Sequence, residues 1–464
     1  SLQSRPALSG RMAFMDIFEA IERGLAPPGN AGAAPPDGGA PSEEQMNKVL
    51  EAARWAASAY NTQPWHFQVL RAPACQREAA RVFSAVPEDK DPADGRAWLL
   101  CHLDRNRMLP VADPLGSESY IALGTACLNI QAASAALGLA CNVWGPSEQN
   151  VKSWRPVGFS FPDKLEPYLL FGIGGAGDPQ NASRPAPAVY HPDSFKAKPV
   201  QIQPRPQPDD GMEALYCIRS RQTDRTPMLR TDPWPEDSVR MLSAARRAFD
   251  AHGAREAALV LAEDSGKTME LTRLQERAWR QATGDRGRFR ETCGWLRFQK
   301  KEWKRRGDGE WVGHFGLTGV KRTLARLGLK TALAPLAMAL GAHRVMLREA
   351  ETSPETTGAY LTGVIENFTG RFAADEPFRR RILNGVGAGI QALWLTGAAL
   401  GAGVQFQTSI IVQERPKAAL REILDIPDTY EPLFLIRMGY PRRDPHYTNI
   451  RRDWAEVISR TAPT

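Results

Sequence analysis

Two stretches of this chain are written on one pattern. Pro167-Tyr-Leu-Leu-Phe-Gly-Ile-Gly-Gly-Ala-Gly-Asp-Pro179 and Pro432-Leu-Phe-Leu-Ile-Arg-Met-Gly-Tyr-Pro-Arg-Arg-Asp-Pro445 each follow a glutamate, run as an apolar strand, turn on glycine and end in Asp-Pro. Upstream, Ala135-Ala-Leu-Gly138 matches Ala398-Ala-Leu-Gly401, and Val49-Leu-Glu-Ala-Ala-Arg54 matches Met241-Leu-Ser-Ala-Ala-Arg246. The early pair is offset by about 192 residues and the later pairs by about 264, so the second copy carries roughly 70 extra residues between them. Solenoid repeats run only ~20–50 residues, so a unit this long reads as two fused domains rather than a stacked array. A chain of 464 residues has room for about two to four domains, and the repeat makes it two copies of one design.

The punctuation of the chain gives the boundaries. Residues 12–177 form the first copy, with a Pro/Gly-rich insertion at 25–41; residues 178–211 are a proline-rich connection long enough to cross over; residues 212–464 form the second copy. Helical periodicity covers Glu43 to Ser58, and Ser117 to Leu139 is a long, small-residue-rich helix suited to burial. Short strands are expected at His66 to Leu70, Tyr168 to Ile173 and Leu433 to Met438. The expected class is α+β, with helices covering mainly antiparallel sheets.

Charge locates the extra segment. The chain carries 59 Lys and Arg against 52 Asp and Glu, a surplus of +7, with 42% hydrophobic residues and a mean hydropathy of −0.39. Residues 265–350 alone hold 19 basic against 8 acidic residues, with Trp279, Trp295, Trp303 and Trp311 among them, so the rest of the chain is near neutral. Three readings of this basic helical insertion stay open: a solvated elaboration or lid, a funnel for an anionic substrate or cofactor, or a contact for membrane surface or nucleic acid. No recognised nucleic-acid module supports the last. The longest apolar run, Thr331 to Ala342, contains Pro335 and falls short of the ~20 residues of a membrane span, so none is expected. Six scattered cysteines suit a reducing, cytoplasmic setting, and Cys127 and Cys141 read as buried thiols.

The side chains offer few reactive constellations. Seven scattered histidines give no metal spacing, and neither a Gly-x-Ser-x-Gly elbow nor a Walker loop is present, so catalytic residues stay unassigned and a borrowed organic cofactor is favoured. Gly172-Ile-Gly-Gly-Ala-Gly177 matches a dinucleotide fingerprint in spacing alone; Asp-Pro-Gln-Asn follows where a phosphate-binding helix should open. Three clusters could hold a cofactor. Ala56-Ala-Ser-Ala-Tyr-Asn-Thr-Gln-Pro-Trp65 offers Ser58, Asn61 and Gln63 to a planar heterocycle or its ribityl chain. Ile218-Arg-Ser-Arg-Gln-Thr-Asp-Arg-Thr-Pro227 puts Arg221, Thr223 and Arg225 on one side of an extended backbone, a geometry for phosphate. Arg442, Arg443, Arg451 and Arg452 follow the last apolar strand.

Together these residues resemble the nitroreductase family of FMN-dependent oxidoreductases. The Ser-x-x-Asn-x-Gln-Pro-Trp turn, the Arg-x-Thr-x-Arg start of the second copy and the Gly-Tyr-Pro strand exit carry the likeness, while Leu103-Asp-Arg-Asn-Arg-Met-Leu-Pro-Val-Ala-Asp-Pro114 and the fused copies resemble its tandem, Acg-type branch. The resemblance implies an intramolecular pseudo-dimer with one FMN site. Arg221, Gln222, Thr223 and Arg225 would take the phosphate and isoalloxazine edge, Arg451 and Arg452 would close on the phosphate, and Ser58, Asn61 and Gln63 would come from the first copy. Gln405 to Thr408, including Gln407 and Thr408, fall where the family approaches flavin N5. The twin site should be dead, because the insertion interrupts the motif after Arg23 and Arg246 is followed by Arg-Ala-Phe-Asp. The implied activity moves hydride from NADH or NADPH through the flavin to a small, planar, electron-poor acceptor. A lidded FMN-sequestering protein and a specialised biosynthetic flavin oxidase are the alternatives. A small molecule is the expected partner, and a second copy could associate through the insertion.

Overall fold

The computed structural model describes residues 16–25, 39–83, 96–145, 164–175, 213–221, 228–229, 234–315, 358–367, 370–441 and 450–461, with Thr223 and a few positions between 319 and 326. Residues 26–38, the connection 178–211, Gln222, Arg225, Arg442, Arg443 and the apolar run 331–342 lie outside the described residues.

The repeat reappears as two sheets with one topology. In the first, β1 (Trp65–Leu70), β2 (Ala97–Asp104), β4 (Leu165–Gly175) and β3 (Leu139–Trp144) pair antiparallel in that order. In the second, β6 (Ala258–Ala262), β9 (Ala359–Glu366), β11 (Tyr430–Pro441) and β10 (Gly403–Phe406) repeat it, with β5 (Met228–Leu229) on the far end of β11. Between β1 and β2 lie 26 residues and between β6 and β9 lie 96, which places the 70-residue surplus inside that one connection. The Gly172 to Gly175 run sits within β4 and opens no helix.

Helices fill the space between the sheets. Ser117–Ala136 is buried from Glu118 to Ala135, on every face, and packs on Glu376–Ala399. Glycines permit that crossing: a Cβ on Gly124 would fall onto the Asn384 carbonyl oxygen, and one on Gly387 onto that of Ile121. Each helix ends on the repeated Ala-Ala-Leu-Gly, where Gly138 and Gly401 adopt φ of +70° and +77° and let the chain leave in a left-handed turn. Across the crossing, Gln391 donates to Asn129 at 2.7 Å and Asn129 donates to the Ala52 carbonyl at 2.8 Å. Glu376–Ala399 is long and apolar enough to cross a membrane, unlike anything the sequence pattern singled out, yet 83% of its apolar window is buried as a core helix.

Two features break the symmetry and shape the site. The C-terminal strand β12 (Ile458–Arg460) crosses to the first sheet and lies parallel to β1, Phe67 opposite Ile458. The basic insertion folds as helices Ser265–Gly284, Arg286–Gly294 and Lys300–Arg306, with a parallel pair β7 (Leu296–Arg297) and β8 (Glu310–Trp311). It has a small core of its own around Phe289, Cys293, Leu296, Phe298 and Val312. Asp264 and Asp285 start the first two helices by accepting backbone N–H groups.

Candidate functional site

The turn after helix Glu43–Arg54 is the first wall of a cavity of about 230 Å³. Tyr60, Asn61 and Gln63 all take positive φ, at 48°, 52° and 51°, and the Ser58 hydroxyl steadies the turn by accepting from the Gln63 N–H at 2.9 Å. Non-glycine residues in this region carry strain of about 1–3 kcal/mol each, and such clusters concentrate at ligand sites. The turn directs Ser58 and Asn61 to the cavity.

It directs Gln63 elsewhere, a correction to the sequence reading. The Gln63 amide donates to the Gly307 carbonyl at 2.8 Å and accepts from the Arg452 N–H at 3.0 Å, so it ties the turn to the insertion and to the C-terminal segment. Arg452 is likewise a strut: its guanidinium reaches Glu456 and the Gln63 carbonyl rather than the cavity.

Arginines form the electropositive end. The Trp55 carbonyl, at the C-terminus of helix Glu43–Arg54, accepts from Arg221 at 3.2 Å and from Arg451 at 3.0 Å, and the Ala56 carbonyl accepts from Arg451 at 2.9 Å. A helix C-terminus favours cations, which is why two guanidiniums settle there. Arg54, Arg219 and Arg451 also lie over the Trp55 ring, and Arg221 lies 4.5 Å over Trp394. Glu51 takes Arg54 at 2.7 Å. Burial lowers Arg221 to about 10, and burial with its neighbours Arg221 and Arg54 lowers Arg451. Thr223 lines the cavity beside them.

The remaining walls come from both copies and the insertion. Thr125, Ile390 and Trp394 line it from the central helices, and Gln405, Phe406, Gln407 and Thr408 from β10 and the turn beyond. The insertion supplies Gln275, Trp279, Trp303, Glu310 and His314. Trp303 and Trp311 stack with centroids 5.9 Å apart, and His314 stands edge-on to both. The segment Leu103 to Pro114 anchors this roof: Arg107 bonds Asp308 at 2.7 Å and the Thr62 carbonyl at 2.5 Å, Arg297 bonds Asp308 at 2.8 Å, and the Val111 and Ala112 N–H groups donate to Glu291. The insertion thus contributes side chains to the wall of the cavity.

The structure thus gathers Ser58, Asn61, Arg221, Thr223, Gln407, Thr408 and Arg451 about one cavity. Sequence reasoning missed Tyr60, Glu118, Trp279, Trp303 and Trp394. Tyr60, Trp279 and Trp303 lie in segments that the sequence singles out without assigning them a role, and Glu118 is marked as the sole charged residue in a long run of small and apolar positions. After helix Trp234–Ala251 of the second copy, His252 packs against Cys127 at 3.9 Å.

The nitroreductase family model matches residues 37–151 and 218–440, one segment in each copy. The chain belongs to the nitroreductase family. This nitroreductase-family protein is therefore a tandem oxidoreductase of α+β fold. A search of curated proteins gave no match. Among solved structures it is similar to one assigned as a nitroreductase from Anabaena variabilis ATCC 29413, at 11% identity over 86% of this chain and 88% of that one, with a TM-score of 0.49. It is also similar to one from Desulfovibrio desulfuricans in complex with FMN, at 25% identity over 39% of this chain and 98% of that one, TM-score 0.30. A nitroreductase family protein from Clostridium novyi NT follows at 15% identity over 37% and 89%, TM-score 0.28.

Proposed function

We propose that this protein is an FMN-dependent oxidoreductase that carries electrons from a reduced nicotinamide to a small planar acceptor, with one site per chain built across an intramolecular pseudo-dimer. The observation that carries the reading is the arginine pair. Arg221 and Arg451 point at one end of the cavity, and the Arg451 Nε is buried with no hydrogen-bond partner among the described residues, a donor suited to a phosphate oxygen. The residues present therefore fit the flavin nucleotide.

Arg221, Arg451 and Thr223 would hold the phosphate; Arg225 and Gln222, outside the described residues, belong to the same motif. Ser58 and Asn61 would serve the ribityl chain and ring edge, Trp394 and Ile390 would support the ring, and Gln407 and Thr408 would lie toward its reactive edge. When bound, FMN supplies the two-electron carrier. The protein's own part is to hold the acceptor flat beneath Trp279 and Trp303 and to keep bulk water away.

A second reading, a holder that keeps the flavin under its lid, is favoured by the buried Arg107–Asp308–Arg297 clamp. One experiment separates them. The purified protein, loaded with FMN, is mixed anaerobically with NADPH or NADH. Bleaching of the flavin followed by acceptor-dependent recovery supports the enzyme; bound flavin that neither donor bleaches supports the holder; failure to bind FMN sinks both.

A further inference from the structure

Glu118 is the one carboxylate that the central helices present to the cavity. It lies in the first turn of Ser117–Ala136, where its N–H donates to Asp113 at 2.7 Å. Its side chain also borders a smaller cavity of about 30 Å³, shared with Tyr60, Arg288, Thr292 and Thr408 beneath the insertion. Thr408 bonds the Glu118 carboxyl and also bonds the Tyr60 hydroxyl. The second oxygen, Oε2, is buried and without a partner, in a residue only 9% exposed.

The groups facing it explain its state. Asp113, whose own carboxyl burial pushes up, approaches from the preceding turn, and Glu291 approaches from helix Arg286–Gly294. Arg288, on the same helix as Glu291, is turned to the Val412 carbonyl at 2.9 Å and to Asp285, and Arg379 serves Asp113 and backbone carbonyls. Tyr60 approaches from the turn as a neutral phenol, its ionisation suppressed by burial. No cation pairs with Glu118 among the described residues. Burial first, then Asp113, pushes its carboxyl up to about 8, so it carries a proton at neutral pH.

Resting on the flavin reading above, we propose that Glu118 is the catalytic acid of this site, delivering a proton from Oε2 to the heteroatom of the bound acceptor as that acceptor is reduced. For a quinone the balance is complete: reduced flavin provides two electrons and one hydrogen as hydride, Glu118 provides the second hydrogen as a proton, and the hydroquinone leaves. The Glu118 O–H bond breaks and an acceptor O–H bond forms. The resulting carboxylate regains its proton from water admitted through the small cavity, which is large enough for about one or two waters. Thr408 and Tyr60 hold the carboxyl in place and are positioning residues.

The test compares wild type with Glu118→Gln, which keeps the shape and removes the acid. With NADPH as donor and a naphthoquinone as acceptor, wild-type turnover falls as pH rises through about 8, while E118Q is slower by roughly 10²–10⁴-fold and flat across that range. A readout apart from turnover is the infrared spectrum of the flavin-free protein. Wild type shows a protonated-carboxyl band at neutral pH that titrates away near 8, and E118Q lacks it. FMN titration of both proteins checks the site: equal affinity shows it intact. Absence of that band in wild type, or E118Q keeping both the rate and the falling limb, overturns the assignment while leaving the oxidoreductase reading standing. If wild type binds no FMN, the oxidoreductase reading falls and takes this one with it.

Discussion

Arg221 and Arg451 share one acceptor, the Trp55 carbonyl, although 230 residues separate them in sequence. Each copy contributes differently to that meeting. Arg221 opens the second copy, Trp55 closes a helix of the first, and Arg451 arrives on the segment that delivers β12 to the first sheet. Two guanidiniums held this close repel unless an anion lies between them. Replacing either with alanine is therefore expected to weaken FMN binding about 10–100-fold, the range for a charge-assisted hydrogen bond. The apoprotein should gain stability from the removed repulsion. Fluorescence titration of FMN, with urea unfolding of the apoprotein, checks both; unchanged FMN affinity in Arg221→Ala would remove the phosphate assignment.

The crossing of the central helices predicts a different kind of failure. Gly124 and Gly387 face each other's helix at backbone distance, so an added methyl has no side chain to displace. Gly124→Ala is expected to destabilise by about 2–3 kcal/mol despite alanine's better helix propensity, and Gly387→Ala likewise. Because both lie at one crossing, the double variant should cost less than the sum of the singles. Urea midpoints of the three variants measure this.

Much of this was legible in sequence, for identifiable reasons. The matched Ala-Ala-Leu-Gly and Glu-Pro strands are local signals, and local signals fix element type and order; the shared order of the two sheets and the site of the 70-residue surplus follow from them. Residues around the cavity were readable where a motif carried them, as with Ser58, Asn61, Arg221 and Thr408. Gln63 turns away because positive φ at three positions of one turn decides direction and leaves no mark in the residue names, and Arg452 turns away because Glu456 and the Gln63 carbonyl hold its guanidinium. Trp279 and Trp303 reach the cavity only through the fold of the insertion, a tertiary fact without a periodic signature.

Acid should destabilise the first sheet through His102. This residue is fully buried in β2, with Nε2 3.2 Å from the Gln68 Oε1, and burial lowers its ring to about 3 from an ordinary 6.5. The unfolded chain therefore binds a proton that the folded chain refuses. Stability is whole above pH 6.5 and declines as pH falls from there toward 3, by up to about 1.4 kcal/mol per unit in the steep part. His66, whose ring lies 6.1 Å away and is also lowered by burial, adds to the same limb. Urea midpoints between neutral pH and pH 4 should show the decline, and His102→Gln should flatten it by one proton's worth. An unchanged slope in the variant would count against the buried neutral ring.

The insertion is tied to the first copy through Asp308. Its carboxylate is 7% exposed and lies between Arg107 of the first copy and Arg297 of the insertion, the only acid bonded to either among the described residues. Burial makes its carboxyl a weaker acid, but the two guanidiniums outweigh that and hold it below its ordinary value. The clamp's stability is thus present above the unfolded carboxylate range and is lost as pH falls through the folded value. Asp308→Asn removes the charge at constant shape and strands the buried Arg297 and the half-buried Arg107, a loss of about 3 kcal/mol for the clamp, the low end for a buried pair. Because the insertion has its own core, that loss should appear as opening of the insertion rather than global unfolding. FMN should dissociate faster from D308N, and proteolysis should quicken within the insertion while the sheets stay protected. Proteolysis spread evenly over the chain would show instead that the clamp supports the whole fold.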